Sequence, residues 1–440
     1  MRCSKQKEFK KIASVLESGG WGVDDLRDVK EMLVSESIRL VDNFQVKLIS
    51  DGHDAPIQLI DFFSGAGGTS LGFYTINNLF PAFKMLGGVD INPVSAETYS
   101  QNFGTPLLNI DIRTLAADDA AFNEFLQKIE YDPSLPTILI GCAPCQGFSS
   151  HRKKHWSEED DVRNSLVIAF ARIVEKILPD AVLIENVPEF ISKKYWSYFS
   201  AAKAAFENNG YIVKAHIYNA ASFSVPQDRF RTIVIAMKKD FLLPLPTTDD
   251  DKKKTVRDAI GRLPPVQAGQ QDPSDPLHKS ASHKASTIEV IKSVPHDGGN
   301  RPVGVGPACL DRTTGFSDVY GRLWWDKPSI TITHYARNPA SGRFTHPEQD
   351  RGLTAREAAR LQSFPDGFQF SGKFDDIYRQ IGEAVPPRFS AGIAADILVE
   401  LLSTEPNREQ LDEGVLSIVS PVSSSYSSVI AGIKQKSKRK

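Results

Sequence analysis

A chain of 440 residues can hold two domains with a real core, and 41% hydrophobic with 24% charged residues is the composition of an ordinary globular protein, which argues against a membrane protein and a disordered one. Lys and Arg number 52 against 54 Asp and Glu, so the net charge of -2 does not advertise nucleic-acid binding, and any such partner must be met by local basic patches. The first thirty residues carry no apolar signal core, no window is long enough for a membrane span, and four cysteines suit a reducing compartment, so the expectation is a cytoplasmic enzyme, or a nuclear one if the basic C-terminus is an address.

In chain order, residues 1–55 show helical apolar spacing (Phe9, Ile12, Val15, Leu16, then Leu33, Val34, Ile38, Val41) broken at Gly19-Gly20, and read as an accessory helical segment with no chemistry in it. The pattern changes at Pro56. Residues 57–63 read as a buried strand, and Ser64-Gly-Ala-Gly-Gly-Thr-Ser70 as a glycine-rich turn into a helix, a loop of nucleotide-binding type. Its glycines let the backbone approach a ligand, and Asp90, ending the next apolar run, is placed to accept from ribose hydroxyls. Gly65-x-Gly67-x-x-Ser70 nearly matches a dinucleotide fingerprint, so a dehydrogenase and a methyl-donor site both fit; no Gly-Lys-Ser/Thr follows, so it is no phosphate loop. Asp111 ends a further short strand, which would line up Asp61, Asp90 and Asp111 along one sheet edge.

The next unit carries the densest chemistry. Apolar residues 136–140 precede GCAPCQGFSS (141–150), so Cys145 would sit just past a strand end, on a loop that Pro144, Gly141 and Gly147 turn sharply. A thiol presented there is a candidate nucleophile, although a lone cysteine is often just a small buried hydrophobe. Cys142-x-x-Cys145 imitates a zinc motif, but the other cysteines, Cys3 and Cys309, stand far apart, so no metal is expected. A helix is expected from near Arg163 to Leu178. The apolar strand from Ala181 ends in Glu185-Asn186, and a carboxyl following four apolar residues is expected to titrate high enough to carry a proton at neutral pH. Ser222 to Arg231 leads into another strand; if it is extended, Arg229 and Arg231 share a face and converge on one anionic or carbonyl-rich ligand, although paired surface arginines are the commoner case.

From about 241 the strand–helix rhythm stops. Residues 244–312 are rich in Pro, Gly, Asp and Lys, with scattered histidines (His278, His283, His296), and read as a loop-dominated second domain. Residues 322–326 and 329–333 are expected to be strands, 355–361 a helix, and 381–402 a Gly/Pro lead into a terminal amphipathic helix. After 403 the chain is Ser-rich and ends basic, a disordered tail. The basic clusters are 151–155, Lys193-Lys194 and 434–440.

Taken together, DFFSGAGG (61–68), GCAPCQGFS (141–149), ENVPEF (185–190), QDRFR (227–231), REAARLQSFPDGF (356–368) and QIGEAVPP (380–387) resemble the motifs of the DNA cytosine-5 methyltransferases, in the family's order, from about 57 to 400. The resemblance implies an α/β fold: a Rossmann-like S-adenosylmethionine-dependent methyltransferase domain with a smaller, irregular target-recognition domain. The expected division is 1–55 accessory, 56–240 catalytic and cofactor-binding (completed by 378–403), 241–377 target recognition and hinge, and 404–440 tail. It further implies Cys145 as nucleophile, Glu185 handling the proton at cytosine N3, and Arg231 with Arg229 orienting the base. For S-adenosylmethionine it points to Phe63, Gly65 and Gly67 at the methionine end, Asp90 and Ile91 on the ribose side, Asp111 and Ile112 at the adenine, Pro144 and Leu166 lining the pocket, and Glu383 and Val385 at the amino-acid end. Glu383 stands where the family usually has Asn, and the 1–55 segment has no counterpart in the minimal family pattern.

Cytosine C5 is a poor nucleophile, so the family's chemistry needs a thiolate at C6 and a proton at N3 before C5 can attack a methyl group, with the base flipped out of the duplex. Local positive charge, for instance from 151–155, would favour the thiolate. Partners implied are double-stranded DNA and a cognate restriction endonuclease, with the enzyme a monomer on DNA. Two other readings are the same chemistry on RNA and a catalytically silent DNA-binding relative.

Overall fold

The computed structural model describes residues 26–44, 55–79, 81–105, 107–144, 158–311, 318–403 and 415–423. Helix α1 (Leu26–Val41) turns Leu33, Val34, Ile38 and Val41 inward, as the helical spacing predicts. Strand β1 (Ile57–Phe62) is buried along its whole length, as a central strand with helices on both faces must be. The chain then alternates through α2 (Gly68–Ile76), β2 (Phe83–Val89), α3 (Pro93–Phe103), β3 (Leu107–Leu108), α4 (Ile112–Ala117), α5 (Asp119–Lys128), β4 (Thr137–Gly141), α6 (Glu158–Ile177) and β5 (Ala181–Asn186). After α7 (Trp196–Asn208), β6 (Ile212–Asn219) and β7 (Phe230–Met237) complete a seven-stranded sheet of order β3-β2-β1-β4-β5-β7-β6. The first five strands are parallel, and β7 runs antiparallel between β5 and β6.

Two apolar clusters cover the two faces of this sheet. One includes Phe62, Phe125, Phe170 and Phe206. The other joins α1 and α2 to a terminal helix and runs on into the region after 241. The described residues of that region form short elements, among them α8 (Val256–Ile260), a ribbon of β8 (Gln271–Asp272) and β9 (Asp275–Lys279), and α9 (Ala285–Lys292). The chain returns to the sheet through α10 (Ala355–Leu361), α11 (Phe374–Glu383) and α12 (Pro387–Leu402).

Several sequence expectations are corrected. Residues 322–326 and 329–333 form isolated bridges (Arg322 with Thr345, Ser329 with Gln227) instead of strands, because no neighbouring extended chain continues the ladder. Helix α12 is not amphipathic: α1 covers one side and α2 another, so nearly every residue is buried. Helix α6 starts at Glu158, ahead of the expected Arg163. Gly141 is a strand residue whose added Cβ would lie 2.5 Å from the Phe170 ring, so close packing and not a turn requires it.

Neither flank of the sheet domain is a loose appendage. Lys30 of α1 is buried against Asp396 and Glu400 of α12, at 3.1 Å from Glu400, and Arg388 at the start of α12 forks onto Asp42. Part of the expected disordered tail is ordered: Ile418 N–H donates to Ala215 O of the edge strand β6 at 2.7 Å, and Val422 N–H donates to Ile191 O at 3.1 Å, in the segment that follows β5. The remainder of both termini lies outside the described residues.

The region after 241 is held by buried guanidinium groups in place of regular structure. Arg322 donates to the carbonyls of Ile291, Val294, His346 and Gln349, and Arg343 to those of Gly298, Gly299 and Arg322. Arg351 forks onto Glu357 at 2.7 and 2.8 Å, and Glu357 also closes a capping box with Thr354. Burial alone would push the Glu357 carboxyl up, but the Arg351 charge and hydrogen bonds, with smaller help from His346 and the Thr354 N–H, together outweigh it and hold it down to about 2. This carboxyl is more acidic folded than unfolded, so the pair's stabilisation is present above the ordinary pKa of 4.5 and is lost as pH falls towards 2. Arg351→Met leaves a buried carboxylate unpaired and is expected to cost about 3–5 kcal/mol, read from the urea midpoint. A loss under 1 kcal/mol would contradict the assignment.

Candidate active site and cofactor loop

The C-terminal ends of β1, β2, β4 and β5 bring the candidate residues to one edge of the sheet. After β1 the chain turns at Phe63 (φ 59°), Gly65 (φ 52°) and Gly67 (φ 91°). Phe63 is the telling member, since a left-handed backbone is costly for a bulky side chain and such strain collects at functional loops. At Gly67 a Cβ would stand 2.3 Å from the Phe103 ring, and at Gly68 2.3 Å from the Val385 carbonyl, so the loop is seated tightly on α3 and on the residues leading into α12. At Gly65 an added Cβ would meet nothing within 4 Å among the described residues. Gly67→Ala meets both the backbone and the ring, and is expected to destabilise by about 2–4 kcal/mol in a urea titration. An unchanged midpoint would show that the loop relaxes freely.

Asp90 follows β2. Its Oδ2 accepts from Gly65 N–H at 3.0 Å and its Oδ1 from Asn92 N–H at 2.8 Å, which fixes the carboxylate beside the open face of Gly65. Burial raises its pKa, with the backbone donors opposing. Lone pairs remain for two hydroxyl donors. Ile91, 68% exposed, offers an apolar surface next to it. An open glycine face, a fixed acceptor and an exposed apolar side chain are what a ribonucleoside needs, so the residues present fit S-adenosylmethionine.

Asp111 is not a strand residue: β3 ends at Leu108, and Asp111 caps α4 while its carboxylate forks onto Arg113. The Arg113 pairing lowers its pKa. Ile112 is buried in the core, so what it can present is the main-chain N–H of a helix start. Asp61 does not line the edge with the other two; it lies inside β1, fully buried. Pro144 is exposed where β4 leads out, Leu166 is half-buried on α6, Glu383 is exposed at the end of α11, and Val385 is buried with its carbonyl against the glycine loop.

Cys145 and residues 151–155 lie outside the described residues. Cys142, three residues earlier, is a free thiol with Sγ 3.4 Å from Thr69 Oγ1; burial pushes its pKa well up, so it is no ready nucleophile. Among the described residues no cluster suits a metal ion. Two of the histidines after 241 are held by the structure around them: buried His278 bridges Thr354 and the Pro264 carbonyl, and half-buried His283 accepts from Gly352 N–H.

Glu185 and Arg231 meet. Antiparallel pairing sets Ile233 opposite Glu185, and Arg231, two residues away on the same face, reaches diagonally across. Arg231 Nε lies 2.8 Å from Glu185 Oε1 in a nearly buried ion pair. The N–H is not aligned with that contact, so Oε1 keeps its hydrogen-bonding capacity. Asn186 ties the end of β5 to the chain leaving β4, donating to the Ala143 carbonyl at 3.3 Å.

Arg229 does not converge with Arg231 on a ligand. It donates to the main-chain carbonyls of Ile332, Gly382 and Ala384. Gln227 and Gln362, inside the quoted motifs yet given no role by the sequence reading, complete this junction: Gln227 accepts from Ile332 N–H at 2.8 Å and Gln362 donates to Ile381 and Ala384 carbonyls at 2.9 Å. Glutamine without charge contrast carries little sequence signal. The group pins the start of β7 to the chain linking α11 and α12.

The model of the C-5 cytosine-specific DNA methylase family matches residues 57–398. The chain belongs to that family. Type II methylase M.HgiDII of Herpetosiphon aurantiacus is 33% identical over 350 residues, covering 77% of this chain and 94% of that protein. Type II methyltransferase M1.HphI of Haemophilus parahaemolyticus is 35% identical over 340 residues, covering 77% and 86%. A solved Escherichia coli prophage protein, described as a DNA modification methyltransferase, shares the fold with TM-score 0.60 at 24% identity, covering 79% of this chain and all of that one. The protein is thus a cytosine-C5 methyltransferase with the expected α/β methyltransferase fold, and the dehydrogenase and silent-binder readings fall. Residues 26–44 and 415–423 pack on the domain from outside the matched span.

Proposed function

We propose that this methyltransferase flips a cytosine out of duplex DNA and methylates its C5 at a specific sequence, through a covalent bond between Cys145 and C6, as the modification partner of a restriction endonuclease. One observation supports this above the others: a nearly buried carboxyl, Glu185, is ion-paired with Arg231 at a strand end whose next residue, Asn186, donates to the Ala143 carbonyl, two residues before Cys145 in the chain. S-adenosylmethionine supplies an electrophilic methyl group on a sulfonium centre. Phe63, Gly65, Gly67, Asp90 and Ile91 would hold it, with Asp111, Ile112, Pro144, Leu166, Glu383 and Val385 around them.

Chemically, the Cys145 thiolate adds to C6 while Glu185 delivers a proton to N3, so the electron pair pushed into the ring makes C5 nucleophilic. Once C5 carries the methyl group, its own proton leaves to a base, the C6–S bond breaks with its electron pair going to sulfur, and N3 returns its proton to Glu185, restoring the ring, the acid and the thiolate. Arg231 keeps Glu185 in place during proton transfer, and Arg229 is a positioning residue at the junction of β7 with the segment before α12. Flipping the base costs a few kcal/mol, which contacts from the region after 241 must offset. Among the described residues no helix is long and apolar enough to cross a membrane, consistent with work on cytoplasmic DNA. The test is transfer of labelled methyl to duplex DNA and to transfer RNA side by side. Label on duplex cytosine supports the reading, and label on RNA alone overturns it.

A further inference from the structure

Beneath the glycine loop lies a carboxyl that the chemistry above does not use. Asp61 sits inside β1 between Gly88 of β2 and Ile140 of β4, with no solvent exposure. Its Oδ2 accepts from Ser70 Oγ at 2.6 Å, and Ser70 Oγ lies 2.9 Å from Tyr99 OH. Its Oδ1 is buried with no hydrogen-bond partner. Among the described residues, the groups facing it are Ser70 from α2, Tyr99 from α3, Asp90 beyond β2 and Cys142 beyond β4. None of these is a cation.

A buried carboxylate without a cation is expensive, and it persists where it is protonated or where a ligand brings the missing charge. Tyr99 and Cys142 are themselves pushed up by burial and remain neutral, so Asp90 is the only other anion in the group. Asp61 stands two residues before Phe63 and four before Gly65, at the root of the proposed cofactor loop. A sulfonium has no N–H or O–H to donate, so a protein can distinguish it from the thioether left after transfer chiefly by charge.

We propose that Asp61 is a positioning residue for the methyl donor: its carboxylate supplies the buried negative charge that favours the sulfonium form over the neutral product, and so helps release the product after transfer. The inference rests on the reading that the 63–67 loop holds S-adenosylmethionine. Burial pushes the carboxyl up to about 7, the Ser70 hydroxyl opposing and the Asp90 charge adding to the rise. In the free enzyme the preference should therefore strengthen as pH rises through neutrality, and donor binding below that point should expel a proton. Asp90 also titrates upward of its ordinary value, but it faces the ribose that both ligands share, so its effect cancels in their ratio.

The test is calorimetry of the full chain with S-adenosylmethionine and with S-adenosylhomocysteine between pH 6 and 8. The ratio of the two affinities should rise up to about tenfold across that range, the limit for one carboxyl titrating at its midpoint. Donor binding near pH 6.5 should release protons, seen as an enthalpy that varies with buffer, and product binding should not. Asp61→Asn should lower the ratio and flatten its pH dependence. If that variant does not fold, Ser70→Ala removes the hydrogen bond that favours the ionised form and should move the midpoint to higher pH. A wild-type ratio independent of pH, or an Asp61→Asn protein that keeps both ratio and slope, overturns the inference alone. Failure of both ligands to bind wild-type protein overturns the cofactor reading with it.

Discussion

Cys145→Ser is expected to abolish turnover while leaving duplex binding intact or tighter. A serine hydroxyl keeps the size and polarity of the side chain but is almost wholly protonated at neutral pH, so the nucleophile that must add to C6 is missing. Binding depends on contacts elsewhere on the duplex and survives, and a complex that cannot turn over does not dissociate by completing the reaction. Methyl transfer under single-turnover conditions, beside a binding titration, separates the two effects. Full activity in the serine variant would contradict the assignment, because Cys142, three residues earlier, lies half-buried with Sγ 3.4 Å from Thr69 Oγ1 and has its pKa pushed well up.

Glu185→Gln should lower kcat by about 10²–10⁴ at nearly unchanged KM for both substrates, the range expected when a positioned general acid is removed. Glutamine keeps the shape and can still meet Arg231, but it has no proton of suitable acidity to give to N3. Without it, the charge that thiolate addition places in the ring must be borne unaided. The complementary change, Arg231→Met, leaves the carboxyl without the partner 2.8 Å from it and should reduce both activity and stability. Rapid-quench measurement of the methyl-transfer step distinguishes a chemical defect from a binding one. A Glu185→Gln enzyme within threefold of wild type would remove Glu185 from the proton's path.

Much of this was legible in the chain because strands buried on both faces leave long apolar runs, and the residue that ends each run marks the edge where ligands bind. Ile57–Phe62, Thr137–Gly141 and Ala181–Asn186 follow that rule, and Phe63 and Glu185 stand at or beside those strand ends, while Cys145, to which the same rule points, lies outside the described residues. Asp61 was misplaced because a carboxylate inside a strand reads like one just past its end; only the Ser70 and Tyr99 contacts show that it faces inward. Arg229 and Arg231 share a face by spacing, yet their partners lie about 150 and 50 residues away in sequence, at Gly382 and Glu185, and spacing carries nothing of such contacts. The region after 241 was hardest to read, because buried arginines donating to carbonyls leave no periodic pattern. For the same reason 415–423 looked like a tail: it joins the sheet edge through main-chain bonds that any sequence can make.

The central claim is that Cys145 becomes covalently joined to a flipped cytosine. Purified protein, labelled S-adenosylmethionine and a duplex library carrying 5-fluorocytosine, resolved by denaturing electrophoresis, test it most directly. Fluorine at C5 cannot leave as a proton does, so the cycle halts with the base bonded to the thiol. The account predicts a labelled, denaturant-resistant protein–DNA complex that is lost in Cys145→Ser, with one sequence enriched in the trapped DNA. If the protein binds the cofactor but traps no DNA from the library, covalent catalysis on duplex cytosine is contradicted.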